Sequence, residues 1–182
     1  MNILILNGHE SYRDGDGQFN RTLMDKMTGI LSEKHEVRIS VLQNGYDVRE
    51  EQHKYVWADL VIYQTPVYWF SVPGLLKTYM DQVFAYGVFF EGSNTYGQGG
   101  LMTGKSYMLS TTWNASEEAF SDPDGFFEGR SVDEVLAHLH RTHRYIAMQS
   151  LPSFTCLNVL KEPKMNETVE RLEHHLRSTL NV

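Results

Sequence analysis

The stretch DLVIYQTPVYWFSVPGLLKTYMDQVFAY, residues 59–86, contains a strand, a loop and a helix in that order. Asp59–Thr65 is a short apolar run of the kind that parallel sheets bury on both faces. Pro73 and Gly74 precede apolar residues at helical spacing, which predicts a helix over Leu75–Tyr86. Between these two elements, Pro66–Pro73 places three consecutive aromatic residues between two prolines, which predicts an aromatic loop.

The same alternation of strand and helix continues along the whole chain. Apolar runs predict strands over Asn2–Leu6, Glu36–Leu42, Asp59–Thr65, Lys105–Thr111 and Ser153–Leu160. Helical spacing predicts helices over Gln18–Leu31, Leu75–Tyr86, Val132–Ala147 and Met165–Leu180, with a weaker one that ends at Trp57. This order predicts one α/β domain over residues 1–182, built on a five-stranded parallel sheet with helices on both faces.

Composition and charge narrow the possible functions. The 182 residues carry a formal net charge of −7 without a dense cluster of Lys or Arg, so we expect no binding to nucleic acid or to an anionic membrane. The single cysteine, Cys156, lies in an apolar run, which favours a buried thiol and a reducing compartment. The chain shows neither a signal-peptide pattern nor an apolar run of bilayer length, so a cytoplasmic protein is expected.

The loop that follows the first predicted strand has the composition of an anion site. Residues 7–17 contain three glycines and short polar side chains, and the helix that begins at Gln18 comes directly after them. Backbone N–H groups at a helix start suit a phosphate. Neither the Walker lysine motif nor G-x-G-x-x-G is present, which argues against a nucleoside triphosphate or a standard dinucleotide fold. An ordinary long loop with a helix cap remains the alternative.

Two further loops follow strands that end at the same edge of the predicted sheet, where open α/β sheets bind ligands. The aromatic loop Pro66–Pro73 is a candidate binding surface, because exposed apolar patches usually mark one. Packing into the core is the alternative. The loop over Thr111–Ala115 adds an aromatic residue beside groups that hydrogen-bond a polar ring edge. Phosphate site, aromatic wall and polar edge together describe a flavin nucleotide.

The histidines do not have the spacing of a metal site. His138, His140 and His143 lie on the predicted helix Val132–Ala147, where a zinc site would need an i, i+4 pair with a nearby acid. We therefore interpret them as a polar helix face and expect no metal. The chain also lacks a G-x-S-x-G elbow and a credible Cys–His pair, so nothing indicates hydrolysis.

Many dispersed stretches, in the same order, resemble the modulator of drug activity B family of flavodoxin-like NAD(P)H:quinone reductases. The matching stretches are Asn2–Gly8, Gly17–Thr22, Tyr46–Val48, Trp57–Ile62, Gln64–Trp69, Lys77–Phe84, Tyr96–Leu101, Gly104–Ser110, Thr112–Ala115 and Leu151–Phe154. The resemblance covers nearly the whole chain and implies a flavodoxin-like fold.

The resemblance also implies a bound FAD rather than FMN, a homodimer with each flavin near the interface, and ping-pong two-electron reduction of quinones by NADPH. By matching position, the resemblance implies four groups of flavin-binding residues. The residues at the pyrophosphate are Gly15, Asp16, Gly17, Gln18, Phe19, Asn20, Arg21 and Thr22. Those along the isoalloxazine are Pro66, Val67, Tyr68 and Trp69, with Tyr96 in the flavin region, and those at the polar edge of the ring are Thr112, Trp113, Asn114 and Ala115. Tyr96 or water would supply the proton for hydroquinone formation.

The chain departs from the family pattern on the expected substrate side. Members commonly have glycine and two tryptophans after the loop proline, where this chain has Val67, Tyr68 and Trp69. The segment 87–96 is also shorter, and in this the chain is similar to the ancillary subunits of glutathione-gated potassium-efflux systems. A regulatory flavoprotein that binds a membrane transporter is therefore a second hypothesis. A one-electron carrier is a third, against which stands the missing Ser/Thr-rich phosphate loop of flavodoxins.

Overall fold

One parallel sheet forms the centre of the protein in the computed structural model, which describes residues 1–11, 15 and 17–180. Its strands are β1 (Asn2–Asn7), β2 (Glu36–Val41), β3 (Leu60–Pro66), β4 (Ser106–Thr112), β5 (Gln149–Ser150) and β6 (Phe154–Cys156). Their order is β2-β1-β3-β4, and both β5 and β6 then pair with β4. The parallel sheet with helices on both faces confirms the predicted fold class.

The outer position of the sheet differs from the prediction of one strand over Ser153–Leu160. Two short strands share this position, because β5 pairs with the start of β4 at Ser106 and β6 pairs with its end at Thr112. Pro152 lies between the two strands, and proline cannot donate a ladder hydrogen bond. The sheet therefore has five positions filled by six strands among the described residues.

The helices are α1 (Gln18–Leu31), α2 (Val48–Trp57), α3 (Gly74–Val83), α4 (Glu117–Ser121), α5 (Val132–Val135), α6 (Ala137–Tyr145) and α7 (Met165–Leu180). α1 and α7 have the predicted bounds. The single helix predicted over Val132–Ala147 is wrong, because Leu136 leaves helical geometry at φ −90° and ψ 19° and separates α5 from α6. The five-residue α4 was not predicted, since it is too short to show a helical period.

Alternate residues of the strands fill two apolar cores, one on each face of the sheet. On one face, Ile3, Ile5 and Ile62 pack with Leu23 of α1 and Leu172 of α7. The opposite core is formed by Leu4, Leu6, Val61, Tyr63, Tyr107 and Leu109 together with residues of α2, α3 and α6. Because successive strand residues face opposite sides, these central strands are apolar throughout their length.

A charged group is buried on the α2/α3 face. Glu51 of α2 accepts hydrogen bonds from Tyr79 at 2.7 Å, from Ser40 at 2.9 Å and from the Lys54 ammonium at 2.5 Å. Its side chain is almost fully buried, whereas that of Lys54 is a quarter exposed. The hydroxyls of Tyr55 and Tyr63, 2.6 Å apart, lie beside this cluster. The Glu51 network comprises Ser40, Glu51, Lys54, Tyr55, Tyr63 and Tyr79.

Two further titratable side chains, those of His143 and Cys156, are buried in the cores on the two faces of the sheet. His143 is fully buried, stacks on Tyr107 at 4.1 Å between ring centroids and contacts Leu139 O through Nδ1, so its assignment to a polar helix face is wrong. Burial lowers the pKa of His143 to about 4. Burial also raises the pKa of the Cys156 thiol to about 12, in line with the buried thiol expected from the sequence.

Candidate functional site

Three loops meet at the carboxyl edge of the sheet. They follow β1, β3 and β4, which are neighbours in the strand order. The chain winds outwards to β2 on one side of β1 and to β3 and β4 on the other, so the edge beside β1 and β3 is the switch point. Open α/β sheets bind their ligands in the crevice at this point.

The start of α1 has the features of an anion site. Gly17 is the N-cap, with φ at +71°, and no side chain caps the helix from this position. A Cβ at Gly17 would collide with the imidazole of buried His9, so only glycine fits between that ring and the helix. The helix therefore presents its first-turn N–H groups at the edge where β1 ends. Gly15 is exposed, and the predicted site residue Asp16 lies outside the described residues.

Two predicted flavin-binding residues, Asn20 and Thr112, hydrogen-bond to each other. Asn20 Nδ2 donates to Thr112 Oγ1 at 3.1 Å, and Asn20 Oδ1 accepts from Gln64 Nε2 at 2.7 Å. Gln64 Oε1 in turn accepts from the Ser110 hydroxyl at 2.7 Å. All four side chains are buried. This Asn20 network (Asn20, Gln64, Ser110 and Thr112) fixes the start of α1 to the ends of β3 and β4.

The loop after β3 forms a tight turn that exposes its tryptophan. Tyr68 and Ser71 exchange two backbone hydrogen bonds, of 2.9 and 3.1 Å, and Trp69 and Phe70 between them have φ of +49° and +62°. The Trp69 side chain is 92% exposed. Val67 N donates to Thr112 O at 2.9 Å, which brings this turn beside the end of β4. Trp69 is therefore an uncovered aromatic plane at the carboxyl edge.

The other aromatic residues of this region belong to a cluster that supports the turn. Phe70 packs on Phe126 and Phe127, with ring centroids 5.3 and 5.8 Å apart. Trp113 is 3% exposed, packs on Phe120 and donates from Nε1 to Thr111 Oγ1 at 3.0 Å. The Trp113 side chain is thus a core residue beneath the site. Its neighbours Asn114, exposed, and Ala115, half-buried, remain at the surface.

Tyr96 lies at the opposite edge of the sheet from these loops. It belongs to the segment that joins the end of α3 to the start of β4, and its ring centroid is 5.8 Å from that of Tyr145, the last residue of α6. α6 ends immediately before β5, which pairs with the start of β4. Tyr96 is 95% exposed. The structure therefore does not bring Tyr96 together with the other predicted site residues of the same chain.

A wide groove of about 590 Å³ lies elsewhere, between β6 and α7. Arg171, His174 and His175 line it, and the Phe154 ring at its base is buried beneath the Arg171 guanidinium. This groove lacks the exposed aromatic surface of the β3 loop. Within the described part of the chain, no group of three or more His, Cys, Asp or Glu residues has the geometry to hold a metal ion. No helix among the described residues has the length and apolar character needed to cross a membrane.

The sequence matches the model of the family described as having a flavodoxin-like fold over residues 1–180. This match spans the sheet and the three loops at its carboxyl edge. The chain belongs to this flavodoxin-like family. The family match confirms that the chain is related to the flavodoxin-like proteins that its sequence resembles.

Two named proteins have sequences similar to that of this chain. The NADPH:quinone oxidoreductase MdaB of Haemophilus influenzae is 37% identical over 187 aligned residues, which cover 97% of each chain. The glutathione-regulated potassium-efflux system ancillary protein KefF of Klebsiella pneumoniae is 36% identical over 137 residues, 74% of this chain and 70% of KefF. The crystal structure of a putative quinone reductase from Klebsiella pneumoniae superposes with a TM-score of 0.83 at 23% identity, over 98% of this chain and 84% of that one.

The structure adds residues to the site that the sequence did not single out. Glu10 Oε2 accepts the Leu75 N–H at the start of α3, and Glu10 O accepts the Tyr68 hydroxyl, both at 3.1 Å. Burial, followed by the Glu10 charge, raises the pKa of Tyr68, so this phenol stays protonated near neutral pH. Ser71 Oγ lies 2.9 Å from His138 Nε2. These contacts join residues 58, 65 and 67 positions apart, which no local sequence pattern shows.

Proposed function

We propose that this chain is an FAD-dependent NAD(P)H:quinone oxidoreductase that transfers two electrons as hydride from NADPH to quinones by a ping-pong mechanism. The observation that carries the proposal is the meeting of a glycine-capped helix start and an uncovered aromatic turn at one edge of the sheet. The 37% identity to an NADPH:quinone oxidoreductase over 97% of both chains supports the same activity. The chain would act in the cytoplasm, where its buried thiol stays reduced.

The residues at the start of α1 fit the pyrophosphate of a flavin dinucleotide. Gly17 itself has no side chain to cap the start of α1, and helix N-termini favour anions. Arg21 adds a cation one turn into the helix. We assign residues 15–22 to the pyrophosphate side, with Asn20 acting from the buried network beneath it.

The turn after β3 fits a planar ring. Trp69 offers an exposed face for stacking, while Pro66 and Val67 bring the backbone beside Thr112 at the end of β4. Thr112, Asn114 and Ala115 would meet the polar edge of the isoalloxazine through backbone groups and through the exposed Asn114 side chain. Trp113 would support this loop from the core.

Bound flavin supplies the hydride chemistry of such a site, since it accepts hydride from a nicotinamide and donates it to a quinone. The residues of this chain orient the ligands. Trp69 stacks with the planar donor or acceptor and limits the access of water to one face. The protonated Tyr68 phenol, held by Glu10 O, keeps the aromatic turn against the start of α3. One slot serves the nicotinamide and the quinone in turn, which is the basis of a ping-pong order.

We propose that the protein forms a homodimer, and the position of Tyr96 supports this part of the proposal. Within one chain Tyr96 and Thr112 lie at opposite edges of the sheet. If Tyr96 contacts a flavin and supplies a proton to the reduced quinone, it does so in the site of a second copy. Tyr86, Phe90 and Tyr145 form the partly exposed aromatic surface around it.

Co-expression of Trp69→Ala and Tyr96→Phe chains tests this arrangement. In a mixed dimer, a site that combines Trp69 of one chain with Tyr96 of the other is intact, so about half of the wild-type turnover should return in the heterodimer. If Tyr96 acts within its own chain, every site in the heterodimer carries one defect and no activity returns. A monomer by light scattering would contradict the dimer outright.

The main test uses the purified protein. Heat releases any flavin, mass spectrometry distinguishes FAD from FMN, and steady-state turnover is measured with NADPH, NADH and a quinone series that includes menadione. We expect FAD, and parallel lines in double-reciprocal plots against both substrates. Trp69→Ala should weaken flavin or quinone binding by about 1–3 kcal/mol, the scale of aromatic stacking. A colourless protein that binds neither flavin contradicts the proposal.

A second candidate function is an ancillary subunit of a glutathione-gated potassium-efflux system. The 36% identity to KefF over 74% of this chain favours it, and the net charge of −7 suits docking on a basic cytoplasmic domain. The test mixes the purified chain with the cytoplasmic domain of such a transporter. A stoichiometric complex that raises potassium efflux in vesicles supports this function, whereas menadione turnover without any complex supports the first.

A further inference from the structure

The turn over Tyr68–Ser71 has an unfavourable backbone conformation. Both of its central residues, Trp69 and Phe70, have positive φ, as in the two-residue turns that normally contain glycine or asparagine. A bulky L-residue in this left-handed region brings its Cβ close to the following carbonyl oxygen. Such a conformation persists only where the surrounding structure holds it.

Burial of the tryptophan does not supply that support, since Trp69 is 92% exposed. The support comes from the neighbours of Trp69. The Tyr68 hydroxyl donates to Glu10 O, and Phe70 packs on Phe126 and Phe127. At the other end of the turn, Ser71 Oγ contacts His138 Nε2 at 2.9 Å. This contact links the turn to the helix α6.

The helix that carries His138 is firmly held in the protein. His143 of α6 is fully buried against Tyr107 and Tyr63, and the Tyr107 hydroxyl contacts His140 Nδ1 at 2.6 Å. His140 Nε2 lies 3.2 Å from Asp133. These contacts fix the second half of α6 on β3 and β4 and against α5, so His138 joins a well-held helix to a strained turn.

We propose that His138 is a positioning residue that acts through Ser71 to hold the turn 68–71 in the conformation that presents Trp69 to the substrate. The inference rests on the proposed function for its effect on quinones, while its effect on the turn is independent of that function. His138 has the chemistry for this role. A neutral imidazole with its proton on Nδ1 accepts a hydrogen bond from the Ser71 hydroxyl at Nε2, and the other tautomer donates one to Ser71 Oγ. Burial and the neighbouring His140 lower the pKa of His138, so the ring is neutral at pH 7.

The experiment compares His138→Leu with His138→Gln in the purified protein with any flavin it carries. Leucine removes the hydrogen bond, and glutamine restores an amide near the position of Nε2. His174→Leu is the matched control, because His174 is an exposed histidine on α7. Hydrogen exchange of the Tyr68 and Ser71 amides, which close the turn, is measured by peptide mass spectrometry, and KM and kcat are measured with menadione.

We expect faster amide exchange over residues 68–71 and a higher quinone KM in His138→Leu, each by about twofold to tenfold, with kcat within about twofold of wild type. His138→Gln should return both values towards wild type, and His174→Leu should change neither. In a double-mutant cycle, Ser71→Ala should add nothing to His138→Leu, because both remove one contact.

Unchanged exchange and unchanged KM in His138→Leu overturn the inference, as do additive effects of the two substitutions. A loss of stability spread over all peptides, without rescue by glutamine, also overturns it in favour of a general packing role. The two proposals fail separately. A wild-type protein without flavin or turnover refutes the proposed function, yet the exchange measurement still decides whether His138 holds the turn.

Discussion

Both faces of the sheet bury a set of hydrogen-bonded polar side chains, and the two sets differ in charge and in position. The Asn20 network on the α1 face consists of neutral amides and hydroxyls, and it lies at the carboxyl edge under the three loops. The Glu51 network on the α2/α3 face surrounds a carboxylate and joins α2, α3, β2 and β3. Each network joins elements that are distant in sequence.

The difference indicates two separate roles. A buried carboxylate needs all of its partners, so the Glu51 network should contribute mainly to the stability of the fold. The neutral Asn20 network fixes the relative positions of α1, β3 and β4, on which the geometry of the candidate site depends. Substitutions in the Glu51 network should change the free energy of unfolding, and substitutions in the Asn20 network should change ligand binding as well.

The largest expected effect is that of Glu51→Leu. Removal of the carboxylate leaves the Tyr79 and Ser40 hydroxyls without their acceptor and Lys54 without its counter-ion, which should lower the free energy of unfolding by about 3–5 kcal/mol. Urea denaturation followed by far-ultraviolet circular dichroism measures the change. At temperatures where the variant is folded, its affinity for flavin should match that of wild type. A loss below about 1 kcal/mol contradicts the assigned role.

The next effect concerns His143, which belongs to neither network but packs on Tyr63, a member of the Glu51 network. Its folded-state pKa of about 4 lies below the usual 6.5, so between these values the unfolded chain binds more protons. The free energy of unfolding therefore has its full value with respect to this titration above pH 6.5. It decreases as the pH falls towards 4, by about 3 kcal/mol in total.

His143→Phe keeps an aromatic ring and removes the titration. The slope of unfolding free energy against pH between 4.5 and 6.5 should fall by about 1 kcal/mol per pH unit relative to wild type. His53→Phe, at an exposed position on α2, is the control for the replacement of a histidine by phenylalanine. An equal slope in His143→Phe and wild type would show that this ring does not cause the pH dependence.

A smaller effect on stability, joined to an effect on binding, is expected for Asn20→Leu. The substitution leaves the buried Gln64 amide and Thr112 hydroxyl short of a partner, which costs about 1–3 kcal/mol. Flavin affinity, measured by fluorescence quenching, should fall as well, since the start of α1 is released from β4. If Asn20→Leu and Glu51→Leu lower flavin affinity to the same extent, the separation of the two networks into different roles is wrong.

The smallest expected effect is a difference in stability between two substitutions of Trp69. Glycine tolerates the positive φ of Trp69 and alanine does not, so Trp69→Gly should be more stable than Trp69→Ala by about 1 kcal/mol. Both variants should lose flavin or quinone affinity equally, because both lack the ring. Thermal unfolding and equilibrium binding measure the two quantities. Greater stability of the alanine variant would contradict the strain in this turn.

Local sequence pattern predicted the elements whose apolar spacing is long and regular. The bounds of α1 and α7 follow from apolar residues repeated over three to four turns, and β1, β3 and β4 follow from continuous apolar runs. The outer strand was less predictable. Its two pieces, β5 and β6, have two and three residues, which is too short for a period to appear.

The candidate site was predictable in its position and less so in its contacts. The three loops follow from strand order, whereas the pairing of Asn20 with Thr112 joins residues 92 positions apart. The polar residues around His143 in the sequence led to the prediction of an exposed helix face, whereas its ring is buried. Histidine occurs in both environments, so its residue type does not decide between them. Positive φ at Trp69 and Phe70 runs against the preference of aromatic residues, so no propensity predicts it.

The burial of Cys156 has a practical consequence. Its thiol is inaccessible and has a pKa of about 12, so maleimide and methanethiosulfonate reagents should leave the native protein unlabelled. A cysteine introduced at exposed Thr95 would then be the one reactive thiol on each chain. A spin label at that position reports the separation of two copies by pulsed electron resonance, without prior removal of the natural cysteine.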